Sequence, residues 1–437
     1  MKFFGMLILA ALPVMGADEN SFMIRGATVH PVSSAAIENG SVLVRDGKIV
    51  GVGKGLAVPK GMKVIEAKGM HVYPGMIDSA TELGLSEISS VRETVDVGEI
   101  GKFNPQLRAE VAINPSSEHI PVVRANGITS VISMPMTVGG GGGGMRGGGQ
   151  TSIISGQSAL VHLDGWTWEE MDIKKSAGMA MTFPAIASPG GRFAEMPAAM
   201  RPPAFAESKK NYEQQIRDLK EFFEEARRYQ KAKASGMPLA SDLKLEAMLP
   251  VLEGKVPLVV VAARERAIRE AVKFAEEQKV KLVLADPKEL GTMGAELKAK
   301  NIPVILGPTL ALPLHEDDAY DSAYALPGEF YKAGIKFAFG SFNNQFSRNL
   351  PYQAAAAVAF GLPYDEALKA ITLNPAEIWG VSDRIGSIEE GKWADLMLTD
   401  GDPMEAKTQV KQLFIKGKTV DLDNKQRRLF EKYSNRP

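Results

Sequence analysis

Six short apolar runs with few interruptions recur through the middle of this 437-residue chain: VYPGMID (72–78), GITSVISMP (127–135), VPLVVVAA (256–263), VKLVLAD (280–286), IPVILGP (302–308) and IKFAFGSF (335–342). A strand with one wet face alternates apolar and polar residues, whereas a strand covered on both faces reads as a continuous apolar run. Amphipathic stretches lie between them, at RERAIREAVKFAEEQ (264–278), PKELGTMGAELKAK (287–300) and PYQAAAAVAFG (351–361). Strands alternating with helices over about 300 residues point to an α/β fold, a (β/α)8 TIM-like barrel more than an open sheet. Residues 136–200 give no such clear pattern, so not all eight strands are assigned from sequence.

Both ends of the chain follow a different rule. From Phe22 to His71, and again at ADLMLTDGDP (394–403) and QVKQLFIKGKTVD (409–421), the apolar residues recur with period two. Asp46-Gly47 and Lys416-Gly417-Lys418 supply turn chemistry for tight hairpins. The expectation is one small β-sandwich domain built from both termini, residues 18–72 and 384–425. The barrel then occupies 73–383, and 426–437 form a tail. Residues 1–17, MKFFGMLILAALPVMGA, place Lys2 before an apolar run and small residues at Gly16 and Ala17. That is the order of a secretory signal peptide, so the chain is expected to be exported, to a bacterial periplasm. No later stretch approaches the roughly 18 apolar residues of a membrane span, so no membrane is expected as a partner.

Two insertions interrupt the barrel pattern. The tract GGGGGGMRGGG (139–149) has too many glycines to hold one conformation unaided. A phosphate cradle needs spaced glycines between a strand and a helix, and this tract lacks that spacing, leaving a flexible loop or an anion contact through Arg146. Residues 207–234 set Tyr212, Ile216, Leu219, Phe223, Ala226 and Tyr229 on one helical stripe, which reads as a packing helix.

Composition removes several chemistries. With 51 basic against 52 acidic residues there is no basic footprint for nucleic acid. The absence of cysteine excludes disulfides, thiolate nucleophiles, zinc–thiolate sites and iron–sulfur clusters. Only five histidines remain to serve as ligands: His30, His71, His119, His162 and His315. None has an i,i+2 or i,i+4 histidine partner, and each reads as a surface or hydrogen-bonded histidine before it reads as a metal ligand.

The segments PGMIDSATELGL (74–85) and ITLNPAEIWGVSDRIGSIEEGKWADLMLTDGDP (371–403) resemble the amidohydrolase superfamily, the metal-dependent hydrolases that include imidazolonepropionase-like and dihydroorotase-like enzymes. In the second segment Thr372, Asn374, Pro375 and Ala376 match a helix start after the last barrel strand. Gly386, Ile388, Gly391, Lys392, Ala394, Asp395 and Leu396 match the return into the β-domain. The resemblance implies a barrel whose first strand ends Asp-x-His-x-His, because residues two apart on a strand face the same way and can share one metal. Here that face reads Asp78, Ala80, Glu82. The next implied ligand positions fall on Val261, at about Ala285 or Asp286, and on Phe342, and a bridging lysine would fall near Ser155. Alanine, valine and phenylalanine carry no lone pair, so the usual zinc site is not written in these residues.

What the resemblance leaves at the mouth is carboxylate: Asp78 and Glu82 as candidate catalytic residues, with Glu87 and Asp286 beside them. Carboxylates can perform acid–base work or hold a hard divalent cation; otherwise no cofactor is expected. Asp78 can equally brace the strand end, and Glu82 can be solvated or ion-paired. Asn343, Asn344 and Arg348 follow the last strand, where barrels carry active-site loops, and are candidate substrate-binding residues, with loop capping as their plainer role. Three functions compete. One is a pseudoenzyme that binds a ligand or pairs with a catalytically complete relative, or with itself. Another is a noncanonical hydrolase of C–N bonds in amides, cyclic amides or small peptides. The third is an exported carbohydrate- or peptide-binding scaffold.

Overall fold

The computed structural model describes residues 20–135, 152–186, 205–236, 239–313 and 317–436. The leader at 1–17, the glycine tract at 139–149 and His315 lie outside the described residues. Among the described residues, sixteen strands form two sheets. In chain order the first group is β1 (Phe22–Val29), β2 (Ile37–Arg45), β3 (Lys48–Gly53), β4 (Lys63–Glu66) and β5 (His71–Pro74). The barrel group is β6 (Met76–Thr81), β7 (Ile128–Ser133), β8 (Ile154–His162), β9 (Asp172–Thr182), β10 (Leu258–Val261), β11 (Leu282–Ala285), β12 (Val304–Leu306) and β13 (Phe337–Phe339). The chain then returns to the first sheet with β14 (Leu396–Thr399), β15 (Val410–Ile415) and β16 (Lys418–Val420).

The terminal sheet runs β16-β15-β14-β5-β1-β2-β3, with β4 also on β1, so both ends of the chain share it. It is one hydrogen-bonded sheet that folds over on itself, where two sheets were expected. Phe22 on β1 stacks on Phe414 on β15 with ring centroids 4.5 Å apart. Three strand spacings separate these strands along the sheet, about 14 Å if it were flat. The two hairpin turns meet as well: Gly417 donates to Ala394, and Ala394 donates to Gly47. Asp46-Gly47 and Lys416-Gly417 both hold positive φ at both positions, the two-residue hairpin geometry that the sequence signalled.

The run at 72–78 is two strands. β5 pairs with β14 in the terminal sheet, and β6 pairs with β7 in the barrel. The chain changes sheets at Gly75, where a Cβ would lie 2.1 Å from the Thr129 hydroxyl. Only glycine leaves room there for the Thr129 side chain.

The barrel sheet runs from β6 to β13 in sequence order, all parallel except β8, which is antiparallel to β7 and β9. This departs from a strict (β/α)8 repeat for a simple reason. Residues 163–171 connect β8 to β9, too few for the crossover of a dozen or more residues that a parallel neighbour requires. The ring is nearly closed, and Phe342 N–H donating to the Ala80 carbonyl (2.7 Å) links its first and last strands. Leu160, Ala180, Val259, Val283 and Ile305 fill the interior.

The helices cover the outside. Glu265–Glu277 and Leu350–Ala359 lie where the amphipathic patterns put them. The 287–300 stretch is helical only over Gly294–Ala299. Gly291 turns with φ +53°, and Thr292 is tied through its N–H (3.1 Å) and hydroxyl (2.6 Å) to the Glu265 carboxylate, so the first half is a loop. The long helix Phe205–Ala234 buries Leu219, Phe222, Phe223, Ala226 and Tyr229 on one stripe. No described helix is long and apolar enough to cross a membrane.

Candidate functional site at the barrel mouth

The carboxyl ends of the parallel strands form the mouth, where a barrel gathers its chemistry. Ala80 ends up in the barrel interior, as does Ile77 three residues before it. Regular alternation would forbid both, and the pairing of β6 with β7 shifts between Asp78 and Thr81 to allow it. Asp78 therefore leaves the Ala80 face. It is fully buried, and its Oδ1 accepts from the backbone N–H of Ser341 (2.9 Å) and of Ala80 (3.2 Å). Burial pushes its carboxyl up to about 6, against the hydroxyl and backbone donors of Ser341, Ala80 and Ser347, which favour the ionised form. The residue braces the first strand against the last.

Val261 and Phe342 pack against the same apolar cluster that contains Ala80, Ala285 and Ile305. Phe342 holds φ +48°, an unusual backbone for a bulky side chain. A Cβ on Gly340, two residues earlier, would lie 2.9 Å from Ala80 Cβ and 3.0 Å from the Phe342 ring, so glycine is needed there for close approach. Phenylalanine, alanine and valine thus meet at the mouth and make it apolar.

Glu82 is buried just past the end of β6. Asp286 is buried at the end of β11 with φ +51°, and Lys288 Nζ lies 2.5 Å from its Oδ1. Burial raises the Asp286 carboxyl, while the lysine works the other way. Among the described residues, no three histidines, aspartates or glutamates stand close enough together to hold a metal ion. Glu87, beside them in sequence, lies near the surface and accepts from Asn114 (3.3 Å).

The residues after β13 mostly serve the loops. The Asn343 carbonyl is surrounded by the hydroxyls of Thr81 (2.9 Å), Ser341 (3.0 Å) and Ser347 (2.8 Å). Its side-chain oxygen accepts from the N–H of Gln345 (2.8 Å) and Phe346 (3.0 Å). Asn344 is fully buried and donates to the Ser86 carbonyl, tying the last-strand loop to the first. Arg348 is half-buried, and its carbonyl accepts from Asn126 (2.8 Å). The hydroxyl cluster of Thr81, Ser341 and Ser347 was not singled out from sequence. The only hint was a Thr at one strand end and serines flanking FNN at another. Ser155 is buried at the start of β8, and among the described residues its hydroxyl has no hydrogen-bond partner.

The described histidines each have a partner within the fold. His30 Nε2 and His71 Nδ1 lie 3.0 Å apart, and the ring centroids are 5.3 Å apart. With a ring radius of about 1.15 Å the two nitrogens are in line, the geometry of a hydrogen bond and not of two ligands converging on an ion. Burial, then the proximity of His71, pushes His30 down to about 4. His162 is buried with Nε2 2.8 Å from Asp395 Oδ2, and His119 Nε2 meets the Glu87 carbonyl at 3.0 Å. The long sequence separations hid all of these pairings.

Residues 197–420 match the amidohydrolase family. The chain belongs to that family. An amidohydrolase named tasK from Hapsidospora irregularis is 24% identical over 415 residues, covering 88% of this chain and 40% of that protein. An imidazolonepropionase from Sphingopyxis alaskensis is 30% identical over 200 residues, covering 38% of this chain and 48% of that enzyme. The chain therefore spans less than half the length of these curated relatives. Among solved structures, an amidohydrolase from Thermotoga maritima superposes with TM-score 0.77 at 27% identity, over 92% of this chain and 99% of that one. Molinate hydrolase, at 17% identity and TM-score 0.53, shares the fold.

Amidohydrolases are usually metal-dependent, and the described residues of this family member do not fit that metal. Three of the positions where the family resemblance puts ligands offer hydrocarbon, and Asp78 is held by backbone donors. Asp286 already has a lysine partner.

Proposed function

We propose that this amidohydrolase-family chain is a binding protein without metal chemistry of its own, a pseudoenzyme whose mouth takes a ligand or meets a partner. The meeting of Ala80, Val261 and Phe342 in one apolar cluster carries this reading. A family zinc brings its bound water to a pKa of about 7, and neither these side chains nor a lone carboxylate can do so. The reading includes export, on the pattern of residues 1–17, and a partner that is a second copy of the chain or a catalytically complete relative. It keeps the boundaries 18–72 with 384–425 for the terminal domain and 73–383 for the barrel. Elemental mass spectrometry of protein produced with zinc, manganese and magnesium supplied should find metal well below one equivalent. Near-stoichiometric metal would overturn the proposal.

A second reading, hydrolysis of C–N bonds in amides, cyclic amides or small peptides, is supported by Glu82, buried at the first ligand-bearing strand end. It requires turnover of an amide or cyclic amide that Glu82→Gln abolishes while the fold persists. If no amide in a broad panel is turned over, this reading fails.

Asp78 gives a pH test of its bracing role. Its carboxyl is raised in the fold, so the protonated form is favoured there. The associated stability is fully present below the unfolded pKa of 3.8 and is lost as pH rises through about 6. A difference of about two pH units corresponds to roughly 3 kcal/mol. Asp78→Asn should therefore match the parent near pH 4 and exceed it at pH 8 in urea titrations. Parallel curves across that range would show that Asp78 does not titrate there.

A further inference from the structure

At the opposite end of the barrel from the mouth, a cavity of about 620 Å³ opens below the amino ends of β10, β11 and β12. Its apolar lining is presented by half-buried Pro257, Val280, Pro303 and Ile378, over Ala177, Val283 and Trp379 of the barrel interior. Its rim carries Lys174, Lys255, Lys279, Lys281 and Lys300 against one carboxylate, Glu276. Lys300 pairs with Glu276 and with Glu296, and Lys255 pairs with Glu253. Among the described residues, Lys174, Lys279 and Lys281 have no carboxylate partner within ion-pair distance. Lys174 is half-buried and donates to the Trp379 carbonyl (2.8 Å). Burial, then the nearby cations Arg384 and Lys281, lower its pKa, so the field around it is positive.

Lysines near the carboxyl ends of helices are favoured by the helix dipole, which accounts for Lys300 and for Lys279 after helix Glu265–Glu277. Lys174 projects from β9, a strand of the barrel wall, and donates to the carbonyl of Trp379, the cap of helix Leu373–Ile378, so a helix dipole favours it too. A volume in the range of small-molecule sites, a hydrocarbon lining and a surplus of cations at the rim define the chemistry of an occupant.

We infer that this cavity binds a small amphiphilic organic anion, its apolar body on Pro257, Val280, Pro303 and Ile378 and its carboxylate or sulfonate among Lys174, Lys279 and Lys281. The site is distinct from the mouth and stands whether or not the barrel catalyses anything.

The test is a titration of the full chain with 8-anilinonaphthalene-1-sulfonate, read by its fluorescence and competed with octanoate or with octanol. The expected result is saturable binding that weakens with added salt, is displaced by octanoate and is displaced far less by octanol. Lys281→Glu should weaken it about tenfold, and Lys174→Met by a similar factor. Lys279→Gln/Lys281→Gln, a milder surface change, should weaken it in the same direction should either single variant fail to fold. Absence of saturable binding would overturn the inference. So would equal displacement by octanol, or unchanged affinity in variants whose circular dichroism and melting match the parent.

Discussion

Replacing Asp395 with alanine should lower the unfolding free energy by about 3–5 kcal/mol, the usual consequence of removing one partner from a buried polar pair. Its Oδ2 meets His162 Nε2 at 2.8 Å, and its Oδ1 accepts from the Lys416 N–H at 2.8 Å. Its own carbonyl accepts from Gly75, the residue where the chain crosses between sheets. One side chain thus joins β8 of the barrel to the β15–β16 hairpin of the terminal sheet. Both side chains of the pair are almost fully buried, so water cannot replace the lost carboxylate. Urea titrations of Asp395→Ala, His162→Ala and the double variant provide the measurement. The double variant should lose much less than the sum of the singles, because each single strands the other member of the pair and the double strands neither. A loss below about 1 kcal/mol for Asp395→Ala, or additive losses, would show that the pair does not hold the two sheets together.

The second large effect is expected at Trp379. It is the largest of the fully buried side chains, and its six-membered ring reaches the barrel interior beside Gly178. A Cβ on Gly178 would come within 3.1 Å of that ring, so the wall is already close-packed around it. Trp379→Ala should cost about 3–5 kcal/mol through lost burial and the cavity left behind. Trp379→Phe should cost less, since it keeps most of the ring contact. Far-UV circular dichroism during urea unfolding would read both, and an alanine variant within about 1 kcal/mol of the parent would mean the barrel floor collapses onto the gap.

Much of the architecture can be read along the chain because it follows from local rules. Short continuous apolar runs such as VPLVVVAA and IPVILGP, rich in β-branched residues, read as strands covered on both faces, and β10 and β12 lie in the barrel wall. The Asp46-Gly47 and Lys416-Gly417 turns need positive φ, which the residue types announce. The substitution of hydrocarbon at Ala80, Val261 and Phe342 is likewise a property of residue identity. It is visible once the resemblance assigns those positions, and the packing then makes one apolar cluster of them.

Other features depend on partners far away in sequence. The reversal of β8 could not be read because its direction is set by the length of the next connection. The shift that sends Ala80 inward and Asp78 toward Ser341 depends on pairing between β6 and β7, and a one-residue slip changes the face of every side chain. Asn343 and Asn344 occupy an active-site position in sequence, yet their hydrogen bonds run to loop backbone. The lysine-rimmed cavity gathers residues from 174 to 380, none adjacent to a motif. Residue identity along the chain determined the barrel, a β-domain shared by both ends and the hydrocarbon at the mouth. Tertiary structure decided which carboxylates are buried and which cations share a pocket, because burial and electrostatic coupling depend on distances that sequence order does not contain.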